Sequence, residues 1–301
     1  MDYRKEVFQN FHLRLNNAVF LHQKEATMPA NPMDYNSGRD TVIDVALSER
    51  AKFYDIIDDP NNWYVQTRCT EWEVRDLVGH MIDVTEGYLN AWDMARKGEA
   101  GNPLGLVVMS DRLNEHALAF RSLSREDAIA RLKKDSDQAF VIFEALTPEE
   151  WMGKTVPHPY MGPIPTSFYP SFQIIDYGIH TWDMKWGLGD KTGKLDERTA
   201  GILMPFMFIV MQYTVDEESA KGVDAVFGII VDGEWGGKWK ATVKDGQFSC
   251  VPVENLDDVQ ATFHFKDASD FVLTTYQRFP GGETSGDPKV IDEIRHLFFR
   301  I

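Results

Sequence analysis

Cysteine is scarce: Cys69 and Cys250 are the only two in 301 residues. They lie far apart and neither sits in a CxxC pair. A disulfide framework and a paired-thiol redox motif are therefore excluded, and a reducing compartment fits. Positive charge is short as well, since 31 Lys and Arg face 47 Asp and Glu for a formal net charge of −16. Such a chain repels phosphate backbones and anionic membrane surfaces, so neither nucleic acid nor membrane is expected as a partner. Long apolar runs are missing too. The longest goes from Gly201 to Met211 and contains Pro205, well short of the roughly 18–20 residues that span a bilayer. The opening Met1-Asp2-Tyr3-Arg4-Lys5-Glu6 has no apolar stretch behind it. No secretory signal is expected, and the expected location is cytoplasmic. Internal repeats are absent. Gly233-Glu234-Trp235-Gly236-Gly237 lacks the strand-to-helix setting of a phosphate loop and reads as a hairpin turn.

What is present is a soluble globular composition, 43% hydrophobic and 12% aromatic, in a chain long enough for two domains. Residues 1–38 read as an N-terminal extension, with Met28-Pro29 and Asn36-Ser37-Gly38 as breakers. From 39 to 190 the period is helical. A first helix covers about 39–58. A second follows the capping box Thr70-Glu71-Trp72-Glu73, and its apolar residues Val74, Leu77, Val78, Met81, Tyr88 and Trp92 recur at helical spacing. Further helices are expected at about 112–123, from the Ser124 cap to Leu146, and at 168–187. The Pro- and Gly-rich residues 153–167 read as a long loop, with His158, Tyr160 and Ser167 as pocket candidates. From 191 to 301 an apolar helix near 196–215 gives way to alternating segments at 226–231, 238–243, 248–253 and 260–265. Asp232-Gly233, Asp245-Gly246 and Asp257-Asp258 separate them. Helices return at about 267–279 and 287–299. The fold class is α+β: a helical bundle, then a small domain with an antiparallel sheet.

Three residues carry a chemical pattern. Asp176 and His180 stand at i, i+4, on one face of the 168–187 helix. Polar groups on a largely apolar helix need a partner, and a metal ion is one. His80 on the second helix is the candidate third ligand, although it lies roughly 120° from the centre of that helix's apolar stripe. Two imidazoles and a carboxylate with an open position suit a catalytic zinc. Several divalent ions accept such a set, so zinc is expected without being fixed by the ligands. Asp183 is expected to hold an imidazole from behind rather than to ligate.

The run Thr67-Arg68-Cys69-Thr70-Glu71-Trp72-Glu73-Val74-Arg75-Asp76-Leu77-Val78-Gly79-His80 resembles the second-helix signature of the mycothiol-dependent maleylpyruvate isomerase family, within the DinB-like four-helix metal-binding bundles. Asp176 to His180, followed by Thr181-Trp182-Asp183, resembles its last-helix signature. The resemblance implies that His80, Asp176 and His180 ligate a divalent metal, usually zinc, which activates the thiol of mycothiol. It further implies a C-terminal domain like a sterol carrier protein, in which Arg278 matches an arginine able to bind a carboxylate of the cofactor or substrate. Two positions depart from the family. Asp176 stands where Glu is common, and Gln173, assigned beside the ligands, stands where Arg is common. The N-terminal extension is outside the pattern.

The expected function is a metal- and thiol-dependent S-transferase or isomerase of mycothiol type, acting on a small electrophile, with S-transfer slightly favoured. Cys69 is not assigned as the nucleophile. Two alternatives stay open: thiol-independent, metal-assisted cyclase, lyase or hydrolase chemistry on the same bundle, and a non-enzymatic carrier using Phe263, Phe265, Phe271 and Tyr276. A homodimer is also left open.

Overall fold

The computed structural model describes residues 35–299. All but the last four residues of the 1–38 extension lie outside the described residues. Within them the chain forms two compact units, divided between Thr199 and Ala200. Residues 191–199, which the sequence reading groups with the second domain, fold back on the first unit. The Thr199 hydroxyl donates to Glu49 Oε1 at 2.5 Å, and Trp182 Nε1 donates to the Gly193 carbonyl at 2.7 Å.

The first unit holds α1 (Tyr35–Ile57), α2 (Val74–Arg96), α3 (Leu106–Ala119), α4 (Arg125–Glu144), the short α5 (Pro148–Gly153) and α6 (Phe168–Gly187). Helices α1 and α6 pack together, as do α2 and α4, and these four form the bundle. Its interior is apolar: Val42, Phe53, Ile57, Leu77, Met81, Leu132 and Phe143 are all buried. Phe53 meets Tyr177 edge-on at 5.4 Å. Helix α3 lies on the outer side of α2. Gly79 allows that approach, since a Cβ there would stand 2.4 Å from the Ala117 carbonyl oxygen.

Three expectations change here. The N-cap of α2 is Glu73, not Thr70: the Glu73 N–H donates to Asp76 Oδ2 at 2.9 Å, while residues 69–72 form a tight turn before it. Helix α3 starts at Leu106, six residues early, directly after Gly105 in the left-handed region at φ 88°. Part of the expected 153–167 loop is an antiparallel hairpin of β1 (Thr155–His158) and β2 (Gly162–Pro165). Its prolines conceal the strand pattern, because proline is unusual inside sheets.

Helix α7 (Glu197–Tyr213) leads into the second unit, whose sheet has the order β5-β4-β3-β6-β7. The strands are β3 (Asp224–Val231), β4 (Gly237–Lys244), β5 (Gln247–Pro252), β6 (Ala261–Phe265) and β7 (Glu283–Gly286). Asp245 and Gly246 both take positive φ, 51° and 74°, and make the two-residue turn that a Lys244–Gln247 pairing needs. All neighbouring pairs are antiparallel except β3 with β6, which run parallel. The short α8 (Ala268–Thr275) and α9 (Pro288–Arg295) complete the unit. Phe208 of α7 packs on Trp239 at 5.2 Å and on Phe271 at 5.3 Å, and Phe265 meets Phe271 at 5.2 Å. Phe263, Phe265, Phe271 and Tyr276 are buried.

Candidate metal centre

Helices α2 and α6 run antiparallel along the bundle. His80 therefore meets His180, while Trp92, three turns further along α2, meets Tyr169 near the start of α6. The His80 and His180 rings stand edge-on with centroids 4.9 Å apart, and both are buried. His80 sits on the flank of its own helix. The Trp72 ring covers that flank, 5.1 Å from His80 and 6.0 Å from His180. One ligand atom each from His80, Asp176 and His180 lies within 4.8 Å of the others.

Asp176 is the unusual member. Part of its surface stays accessible, but Oδ2 is buried with no hydrogen-bond partner. Burial pushes the carboxyl up to about 7, and a hydrogen bond with Tyr88 opposes that shift. A buried carboxylate with an orphaned oxygen is costly unless a cation meets it.

Asp183, fully buried, lies one turn beyond His180. Its Oδ2 is 3.0 Å from His180 Nδ1 and accepts the thiol proton of Cys69 at 3.3 Å. A carboxylate at Nδ1 favours the tautomer that carries its proton there, which leaves Nε2 as the nitrogen able to ligate. The segment bearing Cys69 is pressed onto the end of α6. The Arg68 N–H donates to the Asp183 carbonyl at 3.0 Å, and a Cβ at Gly187 would stand 2.2 Å from the Gln66 carbonyl oxygen.

Cys69, His180 and Asp183 form a second group whose ligand atoms fall within the same 4.8 Å limit. The two groups differ in what they lack. In the second, the Asp183 carboxylate already receives two donors, so its charge is satisfied without an ion. In the first, Asp176 Oδ2 receives none. The donor chemistry of His80, Asp176 and His180, two imidazoles and one orphaned carboxylate oxygen, fits a divalent cation.

Gln173, one turn before Asp176, is fully buried, and neither of its amide atoms has a hydrogen-bond partner. It therefore makes no hydrogen bond to the His80, Asp176 and His180 cluster. Arg278 lies in the second unit, buried, with Nη1 donating to the Tyr276 carbonyl at 3.1 Å. His158 is buried in β1. Its Nδ1 accepts the Tyr160 and Met161 N–H groups at 3.3 and 3.2 Å, and desolvation lowers its pKa to about 4. Tyr169 is buried in α6, 6.2 Å from the His158 ring.

Sequence reasoning passed over Trp72, Tyr88 and Cys69 as parts of this neighbourhood. Tyr88 had a signal, standing two turns beyond His80 on the same helix. Cys69 had a weaker one, being next to Arg68 in the turn before that helix.

Residues 47–185 match the family model described as the mycothiol maleylpyruvate isomerase N-terminal domain. The chain is similar over most of its length to a crystal structure of the mycothiol-dependent maleylpyruvate isomerase. TM-score is 0.57 and identity 14%, over 83% of this chain and 94% of that one. A histidine-to-alanine mutant of that enzyme aligns with TM-score 0.55 and 12% identity over the same shares. At these identities the likeness establishes a common fold. No curated protein matches the chain. Among the described residues, no helix is long and apolar enough to cross a membrane.

Proposed function

We propose, from the match of residues 47–185 to the mycothiol maleylpyruvate isomerase N-terminal domain family, that the chain is a metal- and thiol-dependent enzyme. It acts on a small electrophilic metabolite as an S-transferase or isomerase, with a low-molecular-weight thiol of mycothiol type as co-reactant. His80, Asp176 and His180 are the metal ligands, and zinc is the expected ion. The observation that carries the reading is the convergence of these three donors within 4.8 Å around a carboxylate oxygen that has no other partner.

Each residue has a task that follows from its place. Asp183 holds His180 through Nδ1, which fixes the tautomer and aims Nε2 at the site. Asp176 supplies negative charge at a position where burial makes ionisation expensive, and a cation there would offset that cost. Trp72 lies against both imidazoles and keeps water from their faces. A bound divalent ion would lower the pKa of a thiol that meets it and hold the thiolate for attack on an electrophilic carbon. Loss of the thiol after bond rotation gives an isomerase, and retention of the thioether gives a transferase. Arg278 is assigned to a carboxylate of the thiol or the substrate.

Elemental analysis of purified protein, with His80→Ala and His180→Ala in parallel, tests the reading. About one equivalent of divalent metal per chain, lost in both variants, is expected. Turnover of electrophiles should then require an added thiol. Protein that takes up no metal after reconstitution sinks the ligand assignment, and metal-dependent turnover without thiol sinks the co-reactant.

A further inference from the structure

Among the described residues, Gln173 stands out because its side chain is fully buried and both of its polar atoms, Oε1 and Nε2, are unpartnered. Buried amides are nearly always satisfied, so a group in this state signals an absent partner rather than an inert filler. The residue sits on the face of α6 that carries Asp176 one turn on and His180 two turns on. That face points toward α2, because Tyr88 of α2 hydrogen-bonds Asp176 and packs edge-on against Tyr169 at 5.0 Å. Gln173 lies between those two levels.

A second orphan accompanies it. Trp92 is buried with its Nε1–H unpartnered, and its ring is 5.8 Å from that of Tyr169, one turn before Gln173. The stretch between Trp92 and Asp176 thus offers the two N–H bonds of a primary amide, an indole N–H, and one amide carbonyl. Lys154, whose Nζ is 5.6 Å from the Trp92 ring, is already paired with Glu150 at 2.9 Å.

We propose that Gln173 is a specificity-determining residue whose buried side chain recognises a neutral carboxamide group on the molecule bound beside His80, Asp176 and His180. A carboxamide both accepts and donates, so its oxygen takes the Gln173 Nε2–H while its N–H satisfies Gln173 Oε1. A carboxylate accepts only. It would leave Oε1 orphaned and set a negative charge against a carbonyl oxygen, and a site built for paired hydrogen bonds rejects a ligand that leaves one unmade. The location beside the metal ligands rests on the function proposed above. The recognition by Gln173 does not, because it needs no metal. The carboxamide belongs either to the thiol co-reactant or to the electrophile.

The test uses zinc-reconstituted full-length protein and matched probes. These are ω-mercapto carboxamides and ω-mercapto carboxylates of graded chain length, since a helical turn advances about 5.4 Å, together with thiol-free carboxamides. Binding is read by calorimetry and by the side-chain NH₂ resonance of Gln173. The wild type should bind the best mercapto-amide at least about tenfold more tightly than the matching acid, with the Gln173 resonance shifting. Gln173→Leu, of similar volume and without the orphaned amide, should remove the preference while keeping its thermal midpoint and its metal content. Gln173→Arg should reverse the preference toward the acid. A shift with mercapto-amides alone assigns the group to the thiol, and a shift with thiol-free amides assigns it to the electrophile. Equal binding of amide and acid, or an unchanged preference in Gln173→Leu, overturns the proposal. If no metal binds, the function above fails, and the thiol-free amides still decide the role of Gln173.

Discussion

Two aspartates in one bundle are withdrawn from water in different ways. Asp76, at the start of α2, is fully buried. It accepts Arg121 Nε and Nη2 at 2.7 Å each and the Glu73 N–H at 2.9 Å. Asp176, in the middle of α6, has an oxygen with no partner and a carboxyl raised to about 7. The first arrangement is closed: a planar guanidinium and a backbone donor saturate the carboxylate and pin α2 to the segment after α3. The second is open, and it is open beside two imidazoles. The same residue type reads as structure where its bonds are complete and as a site where they are not.

The largest expected effect breaks the open case. Asp176→Asn keeps the volume and removes the charge, so metal content should fall from about one equivalent to near none, with thiol-dependent turnover lost. The metal-free variant should be no less stable than metal-free wild type, because no charge is left to bury. Differential scanning calorimetry with and without chelator checks both statements. Next comes His158, a third buried ionisable group, which the fold keeps neutral. Its folded pKa is about 4 against 6.5 unfolded. Between those values the unfolded chain binds the extra proton. Stability is therefore full above about pH 6.5 and declines as pH falls toward 4, by about 3 kcal/mol. His158→Gln should flatten that part of a urea-denaturation pH series.

Breaking the closed case should cost less. Asp76→Asn strips the ion pair, but the Arg121 side chain is 39% exposed and water can take it back. A loss of about 2 kcal/mol is expected, with metal content per folded chain unchanged. An equal loss of metal would mean that the two aspartates belong to one device after all. Asp183→Asn, last, should weaken metal affinity by roughly 10–100-fold, since His180 keeps a neighbour but loses the carboxylate that orients it. Competition with a chromogenic chelator measures this.

The same contrast explains what could be read from the chain. Regular elements were legible where one period dominates. Helix α6 occupies 168–187 as its apolar spacing indicates, and the Asp245-Gly246 turn falls between two alternating segments. The β3–β6 pairing was not legible as parallel, because alternation reports a strand and says nothing about the direction of its neighbour. Strand β7 was missed for a related reason: Glu283-Thr284-Ser285-Gly286 has no apolar alternation. At the candidate centre, Asp176 and His180 share a helix, so their spacing was informative. That His80 comes beside them depends on Trp72 filling the flank of α2, a tertiary fact. Nor does the sequence show that Asp176 is left open while Asp76 is closed, since Arg121 lies 45 positions from its partner.

Gly187 illustrates how such a centre can be lost in natural variation. A single added methyl there would collide with the Gln66 carbonyl oxygen, and the segment carrying Cys69 would have to leave Asp183. A lineage could then drift out of function through a position that does no chemistry, while every proposed metal ligand stayed in place. A saturation library selected for metal retention should therefore tolerate change at Gln173 more freely than at Gly187, so that selectivity can evolve where the architecture cannot.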